Sequence, residues 1–446
     1  MGVLAALQHT GGVWFGWSGE TSESPPEEPE VVSRGNIRFA TIDLKPAEFD
    51  AYYNGYCNGT LWPLFHYFPD RFTHEQRQYE AYQAVNAQFA RQLFKILKPG
   101  DAVWVHDYQL IPLGRYLRQL GFEGPIGFFL HIPFPHLQIL RLLPNYSELV
   151  RDMCQYDLAG FQTEDDVRSF TTCLDPPPAV LPANRRVQIA GRSVGLGAYP
   201  IGIDVDSVMS EAVTTFSQDT VQRMAVSLMG RKLIIGVDRL DYTKGLTERF
   251  ASYEQFLEEF PENQGQVTFL QIAPPSRSDV LAYGDIRRGL EQSAGRLNGR
   301  FAEADWTPIR YLNRDYTHAT TMGFLRAAKV ALVTPVRDGM NLVAKEFVAA
   351  QDPADPGVLI LSPMAGAAEE LRSALQVNPY DKRGMALALQ TALNMPLPER
   401  QQRHEQMLAA VRQHDIHNWY GSFLRCLIGP GTGRAETNFV ARRQKA

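Results

Sequence analysis

The segment TPVRDGMNLVAKEFVAAQ, from Thr334 to Gln351, combines residue types that bind a diphosphate. An apolar run, KVALVTPV, predicts a buried strand that leads into Asp338 and Gly339 and then straight into a helix. Glycine lets the backbone approach a ligand closely, and the first N–H groups of a helix have no partner inside it. Glu346, about one turn further on, can accept hydrogen bonds from ribose hydroxyls. The amides that would face the diphosphate belong to Met340, Asn341, Leu342 and Val343. A strand, turn and helix with a glycine is also common without a ligand, so this pattern alone leaves both interpretations open.

The segment GVDRLDYTKGL, Gly236 to Leu246, places two cations on a turn after another apolar strand. Arg239 and Lys244 are five positions apart, and two fixed cations can hold the phosphates of a leaving group. In isolation, a solvated surface pair would be the better explanation. An enzyme that releases a diphosphate without a metal must stabilise the growing charge by other means, however, and this favours the functional interpretation.

Further polar and aromatic residues could contact a sugar and its phosphate. Asp107 in HDYQL and His131 in HIPFP each follow a buried strand, and two prolines fix the loop that presents His131. Arg277 in QIAPPSR could clamp a phosphate, and Tyr53 and Trp62 in YYNGYCNGTLWPLFHY could flank a sugar ring. A single histidine on an apolar strand is more often structural, and aromatic residues in such a run are more often core.

Metal and disulfide chemistry find little support in the sequence. Asp204-Val205-Asp206 has the Asp-x-Asp form of a divalent-ion site, but the position favours a cap for the helix that follows PIGI, so we expect no metal cofactor. The four cysteines show no C-x-x-C spacing and no accompanying histidine cluster, which indicates a reducing, cytoplasmic compartment. These cysteines are Cys57, Cys154, Cys173 and Cys426.

Bulk composition narrows the class of protein and its partners. The chain has 446 residues, a length that predicts more than one domain. Of these residues 44% are apolar and 21% charged, as in globular proteins. A formal net charge of −5 gives no electrostatic reason to expect nucleic acid or an anionic membrane as a partner. The apolar run near the start lacks a basic flank and a cleavage pattern, so we interpret it as a helix of the fold.

Alternating strand and helix patterns predict an α/β fold with two serial doubly wound parallel sheets. The first domain is expected over residues 1–205 and the second over 206–410, with a hinge near Pro200 to Asp206. Residues 411–446 should form a helical segment that packs back across the domain boundary. Ligands of open α/β sheets bind beyond the carboxyl ends of the strands, so we expect a cleft there between two facing domains.

Taken together and in order, these segments resemble the trehalose-6-phosphate synthase family across nearly the whole chain. The matching stretches include GGVWFGWSGE, YYNGYCNGTLWPLFHY, VWVHDYQLIPL, IGFFLHIPFP, DLAGFQTEDD, GVDRLDYTKGL, QIAPPSR and TPVRDGMNLVAKEFVAAQDPA. The resemblance implies a GT-B fold and a retaining enzyme that converts UDP-glucose and glucose 6-phosphate into α,α-trehalose 6-phosphate and UDP. It also implies a homo-oligomer.

The resemblance assigns roles to individual residues. Arg239 and Lys244 would bind the donor diphosphate beside the Leu342 and Val343 amides, and Glu346 would hold the ribose. Tyr316 would lie near the base, although the ring could stack on uracil, guanine or adenine. Asp338 and His131 would contact the transferred glucose, which places them with the two cations as the catalytic set. The acceptor pocket would consist of Tyr53, Trp62, Asp107 and Arg277, with Tyr53 and Arg277 on the phosphate.

The implied mechanism is front-face attack, in which the acceptor hydroxyl approaches the anomeric carbon on the side from which the diphosphate leaves. The sequence offers no obvious carboxylate nucleophile paired with an acid at glycosidase spacing, which fits that mechanism. Family members begin with a strand ending in Ser-Asn-Arg and a Gly-Gly-Leu loop, and the given sequence starts after both. We therefore expect the chain as written to be weakened or inactive beside a version extended upstream.

Three alternatives are weighed against this interpretation. A related enzyme could use another phosphorylated acceptor, such as glycerol 3-phosphate, but Tyr53, Trp62 and Arg277 argue for the same acceptor pocket. A non-catalytic subunit that binds sugar phosphate would show tight UDP-glucose binding without turnover, even in a version extended upstream. A dinucleotide-dependent dehydrogenase is disfavoured because no G-x-G-x-x-G follows a predicted strand.

Overall fold

A computed structural model describes residues 4, 7, 10–178, 180–189, 191–275 and 281–429. For residues 281 and 282 it describes the backbone alone. The described part of the chain divides into two compact units. The first contains the described residues up to Ile201 and the helix Ile416–Ile428, and the second is Gly202–Asp415. Among the described helices, none is long and apolar enough to cross a membrane.

The described residues of the first unit form two sheets. Strands β1 (Gly12–Thr21), β2 (Glu30–Arg34) and β3 (Ile37–Leu44) pair in the order β1-β3-β2, with β1 parallel and β2 antiparallel to β3. A second sheet has the order β4-β5-β6-β8-β7 and is parallel except for the β7/β8 hairpin. Its strands are β4 (Val103–His106), β5 (Ile126–Phe129), β6 (Leu158–Phe161), β7 (Arg186–Ile189) and β8 (Arg192–Ala198).

Strands β4, β5 and β6 are buried along their whole length, as their continuous apolar sequences predict for strands covered on both faces. The helix Gln76–Ile96 buries Tyr82, Val85, Phe89 and Leu93, which recur at three- and four-residue intervals along one face. The other helices of this unit are Pro46–Phe49, Trp62–Phe65, Leu113–Gln119, Leu137–Leu140, Tyr146–Met153, Glu164–Thr171 and Ile416–Ile428, and a π-helix spans Asp50–Leu61.

The second unit is built on one parallel sheet with the order β11-β10-β9-β12-β13-β14. The strands are β9 (Lys232–Val237), β10 (Val267–Ile272), β11 (Ile309–Leu312), β12 (Val330–Val333), β13 (Val358–Leu361) and β14 (Leu375–Gln376). Its helices are Val205–Phe216, Asp219–Ser227, Leu246–Glu259, Leu281–Phe301, His318–Ala327, Leu342–Ala350, Lys382–Asn394 and Leu397–Gln413. The chain runs outward from β9 to β11 and then returns to β12 beside β9, so the strand order reverses between β9 and β12. Such a reversal opens a crevice beyond the carboxyl ends of the two strands.

Candidate active site

Two loops meet where the strand order of the second unit reverses. One follows β9 and contains Arg239 and Lys244, and the other follows β12 and contains Asp338. The backbone N–H of Val336 donates to the Thr243 carbonyl at 2.9 Å, which joins the loops directly. Gly245 has φ of +64°, and a Cβ there would collide with the Thr334 carbonyl oxygen. Only glycine combines that conformation with such close approach. Gly245 therefore determines the position of the neighbouring Lys244 on its loop.

A fully buried arginine ties three strand ends together beneath these loops. The Arg249 guanidinium donates to Asp238 at 2.6 Å, to Gln271 at 2.9 Å and to the Thr334 hydroxyl at 3.1 Å. These partners lie at the carboxyl ends of β9, β10 and β12. Burial raises the pKa of Asp238 and the charge of Arg249 opposes that rise. The network holds both loops against one rigid support.

Lys244 and Asp338 form an ion pair between the two loops. The Lys244 Nζ lies 2.5 Å from Asp338 Oδ2, and the same oxygen accepts from Asn341 Nδ2 at 3.0 Å. Both charged side chains are only about one-eighth exposed, at 12% and 13%. The ammonium is therefore held in position before any ligand binds, and the structure brings together two of the residues predicted to be catalytic.

The helix Leu342–Ala350 begins directly beside this pair. Its N-cap, Asn341, has φ of +72° and makes no side-chain capping bond, because its amide is turned toward Asp338. Gly339 and Met340 are buried in the turn, and the Asp338 N–H donates to the Met364 carbonyl at 3.0 Å. The amides of Leu342 and Val343 thus belong to a helix start without a side-chain cap, which is a favourable place for an anion.

Glu346, one turn into that helix, is hydrogen-bonded to a histidine. Its Oε1 lies 3.2 Å from His318 Nε2, and the other ring nitrogen lies 2.7 Å from Glu211. Tyr316 precedes this histidine in the β11 loop, packs edge-on against Phe324 at 5.2 Å and carries the Arg314 guanidinium over its ring. Arg239 is half-buried on its own loop.

In the first unit, His131 and Asp107 lie at the ends of the neighbouring strands β5 and β4. The His131 backbone N–H donates to Asp107 Oδ1 at 3.2 Å. His131 Nε2 lies 3.1 Å from His106 Nδ1, so the two imidazoles share a hydrogen bond. Burial lowers the pKa of both rings, and for His106 the neighbouring His131 lowers it further. Asp107 has φ of +73°, an unusual conformation for a residue with a side chain.

The two aromatic acceptor candidates have different environments. Trp62 is 4% exposed and packs against Tyr108, the residue after Asp107, at 5.8 Å between ring centroids. Tyr53 is half-buried on the π-helix and stacks on Phe49 at 5.2 Å, with Trp17 beside it. Arg277 lies outside the described residues, so its placement stays a prediction.

The Asp-x-Asp sequence occupies a helix start. Asp204 caps the helix Val205–Phe216 by accepting from the Ser207 N–H at 3.0 Å, as predicted, whereas Asp206 pairs with Arg412 at 3.2 Å. Across the described ranges, no cluster of three or more His, Cys, Asp or Glu side chains is arranged to hold a metal ion.

Comparison with known proteins decides the family. The model of glycosyltransferase family 20 matches residues 2–428. The chain belongs to this family. Its fold is GT-B, with two Rossmann-like α/β domains.

Relatives in family 20 cover nearly the whole chain. The trehalose-6-phosphate synthase of Klebsiella pneumoniae is 47% identical over 96% of this chain and 90% of the relative. A UDP-forming α,α-trehalose-phosphate synthase from Burkholderia xenovorans, in complex with glucose 6-phosphate, matches with a TM-score of 0.93 and 48% identity over 96% of each chain. An E. coli structure bound with UDP-2-fluoro glucose matches with a TM-score of 0.91 and 44% identity over 96% of this chain and 94% of its own.

Sequence reasoning did not single out two histidines that contact predicted residues, His106 beside His131 and His318 beside Glu346. His106 precedes Asp107 in HDYQL, so its place at the end of β4 could have been noticed from that motif. His318 has no such signal, because its partners Glu211 and Glu346 come from two other helices far away in the sequence.

Proposed function

We propose that this chain transfers glucose from UDP-glucose to glucose 6-phosphate and forms α,α-trehalose 6-phosphate and UDP with retention of configuration. Membership of glycosyltransferase family 20 and similarity to trehalose-6-phosphate synthases over nearly the whole chain support this proposal. The ligands bound in two solved relatives, glucose 6-phosphate and UDP-2-fluoro glucose, match the proposed acceptor and donor.

The observation that carries the proposal is the Lys244 ammonium, fixed by Asp338 beside an uncapped helix start. A departing diphosphate gains negative charge as its bond to the anomeric carbon breaks. A preoriented cation and helix-end amides stabilise that charge without reorganising during the reaction. Arg239 on the same loop would add a second cation, and Glu346 would accept from the ribose hydroxyls.

Contacts to both sugars are assigned to the first unit, with Asp107 on the acceptor and His131 on the transferred glucose. Asp107 and His131 lie together at two strand ends, where a carboxylate and an imidazole can bond sugar hydroxyls. The acceptor oxygen would form the new bond to the anomeric carbon on the face from which UDP departs. Its proton would pass to the leaving phosphate oxygen, so no protein base is required. Trp62, Tyr53 and Arg277 would complete the acceptor pocket.

The proposed reaction needs no metal, because the cations and amides of the second unit would supply the stabilisation that a divalent ion provides elsewhere. The decisive assay measures UDP release by the chain and by a version extended upstream, with UDP-, GDP- and ADP-glucose, each offered with glucose 6-phosphate and with glycerol 3-phosphate. Parallel reactions contain EDTA or added magnesium. In the extended version we expect turnover with UDP-glucose and glucose 6-phosphate that EDTA leaves unchanged.

Each alternative outcome of that assay has a distinct meaning. Loss of turnover in EDTA, restored by magnesium, would refute the metal-free mechanism. Preference for glycerol 3-phosphate would indicate a different acceptor, and tight UDP-glucose binding without turnover, even in the extended version, would indicate a non-catalytic subunit. We also propose a cytoplasmic homo-oligomer, which light scattering and cell fractionation would test.

A further inference from the structure

Three helices of the second unit meet around one histidine. His318 is the first residue of the helix His318–Ala327, which packs against both Val205–Phe216 and Leu342–Ala350. Glu211 projects from the first of these neighbours and Glu346 from the second. The three side chains form a continuous line, Glu211 to His318 to Glu346, that ends at the carboxylate assigned to the donor ribose.

Both ring nitrogens of His318 face carboxylate oxygens. Nδ1 lies 2.7 Å from Glu211 Oε2, and Nε2 lies 3.2 Å from Glu346 Oε1. An ionised carboxylate only accepts hydrogen bonds, and a neutral imidazole has only one N–H to donate. The imidazolium alone can therefore donate to both glutamates at once.

Deprotonation of His318 would act on Glu346 rather than on Glu211. The contact to Glu211 is shorter by 0.5 Å (3.2 minus 2.7), so the remaining proton is best placed on Nδ1. The lone pair of Nε2 would then face the Glu346 oxygen across 3.2 Å and repel it. The carboxylate that should receive the ribose would lose its support.

Other charged groups on these helices have partners of their own. Asp206 pairs with Arg412, Arg326 with Asp352, and the buried Lys345 with Glu370. On the short helix Asp219–Ser227, which also packs here, Arg223 pairs with Asp219. The two glutamates are thus the charges that act directly on the imidazole. The hydrogen bond to Glu346 and then the Glu346 and Glu211 charges raise the pKa of His318, against partial burial.

We propose that His318 is a positioning residue for the nucleotide site: in its protonated form it holds Glu346 ready for the donor ribose, and donor affinity falls when it deprotonates. The proposal rests on the proposed function, because it needs Glu346 to bind the ribose. As pH rises from below 6.5 through the raised pKa of His318, affinity for UDP should weaken.

The test compares the wild-type chain with His318→Asn and His318→Arg between pH 6 and pH 9. Calorimetry gives the Kd for UDP alone, and kinetics give kcat and both KM values. For the wild type, we expect the Kd for UDP and the KM for UDP-glucose to rise about tenfold over this range, the effect of losing one charge-assisted hydrogen bond. His318→Asn should bind UDP weakly at every pH, and His318→Arg should bind it tightly at every pH. The KM for glucose 6-phosphate should not follow this pattern.

A matched control is His414→Asn, since His414 also lies beside a glutamate, 3.4 Å from Glu370, but not beside Glu346. This variant should keep the wild-type profile. The proposal is overturned if His318→Asn retains the wild-type Kd and its pH dependence, or if both KM values move together. Failure of the proposed function is seen separately, as absence of UDP release by the wild type even where UDP binding follows the expected profile.

Discussion

At Lys244, the geometry of the ammonium is set by Asp338 and by the closing turn at Gly245, both present without a ligand. Replacing Lys244 with Met removes one preoriented cation from the leaving group and keeps the side-chain length. We expect kcat for UDP release to fall by about 10²- to 10³-fold, as for loss of one preorganised donor. Lys329→Met is the control, because Lys329 precedes β12 at the opposite end of the strand and pairs with the exposed Asp355. Equal activity of the two variants would contradict the assignment of Lys244.

The neutral His106–His131 pair should make folding sensitive to acid. Burial lowers the pKa of both imidazoles in the folded protein, whereas the unfolded chain takes up protons near pH 6.5. The unfolded state therefore binds more protons, and stability falls as pH drops below about 6.5, by about 1 kcal/mol per pH unit for each histidine. His106→Asn should reduce this slope in urea unfolding at pH 5 to 7. The same substitution at the exposed His136 should leave the slope unchanged, and a slope unaltered in both variants would refute the prediction.

The positions of site residues were predictable where the residues directly follow a buried strand. Lys244 and Asp338 follow apolar strands that turned out to be neighbours, β9 and β12, and their ion pair is a consequence of that adjacency. The His318 contacts depend on how three helices pack, and no local pattern encodes packing between distant segments. The pairing of His106 with His131 likewise needs the register of β4 against β5, in which His106 lies opposite Phe129.

At the scale of elements, the buried Arg249 supports both the loop after β9 and the loop after β12. Removing one partner of a buried ion pair leaves an uncompensated charge, so Arg249→Met should lower the free energy of unfolding by about 3 to 5 kcal/mol. Urea titration measures this change. Arg287→Met is the matched control, since Arg287 forms an exposed pair with Glu291 one helical turn away and should leave the free energy of unfolding close to that of the wild type. Similar losses in both variants would show that Arg249 is not the support described.

The apolar patterns of the sequence located the buried parallel strands. They did not locate the exposed strand β2 or the π-helix. DAVWVHDY and KVALVTPV contain β4 and β12, because strands buried on both faces are apolar throughout. Strand β2 is exposed at all of its residues, so hydrophobicity gives no sign of it. The sequence of the π-helix Asp50–Leu61 has no distinct hydrophobic periodicity, because aromatic, amide and glycine residues are mixed along it without a regular repeat. The helical pattern predicted from Pro398 to Leu427 is two helices, Leu397–Gln413 and Ile416–Ile428, with a short break at His414 and Asp415.

For the whole molecule, the chain leaves the first unit after Ile201 and returns to it at Ile416. The returning helix Ile416–Ile428 packs on the face of β5 and β6, where a Cβ on Gly127 or Gly160 would lie 2.7 Å from the Phe423 ring. The two glycines therefore permit the close approach of this helix. Phe423 stacks on Trp104 at 4.5 Å, which anchors this helix in the same core as β4.

This returning helix also supports the candidate catalytic histidine, because Trp419 packs 5.9 Å from His131 and 5.2 Å from Phe129 between ring centroids. Trp419 is 1% exposed, so Trp419→Ala should lower the free energy of unfolding by about 3 to 5 kcal/mol. Loosening of His131 should also reduce kcat, while UDP binding, assigned to the second unit, should persist. Calorimetry of UDP binding beside thermal unfolding separates these effects.

Arg425→Ala, on the exposed face of the same helix, should leave stability, kcat and UDP affinity close to those of the wild type. Loss of UDP affinity in Trp419→Ala, with the protein still folded, would mean that the two units do not divide the substrates as proposed.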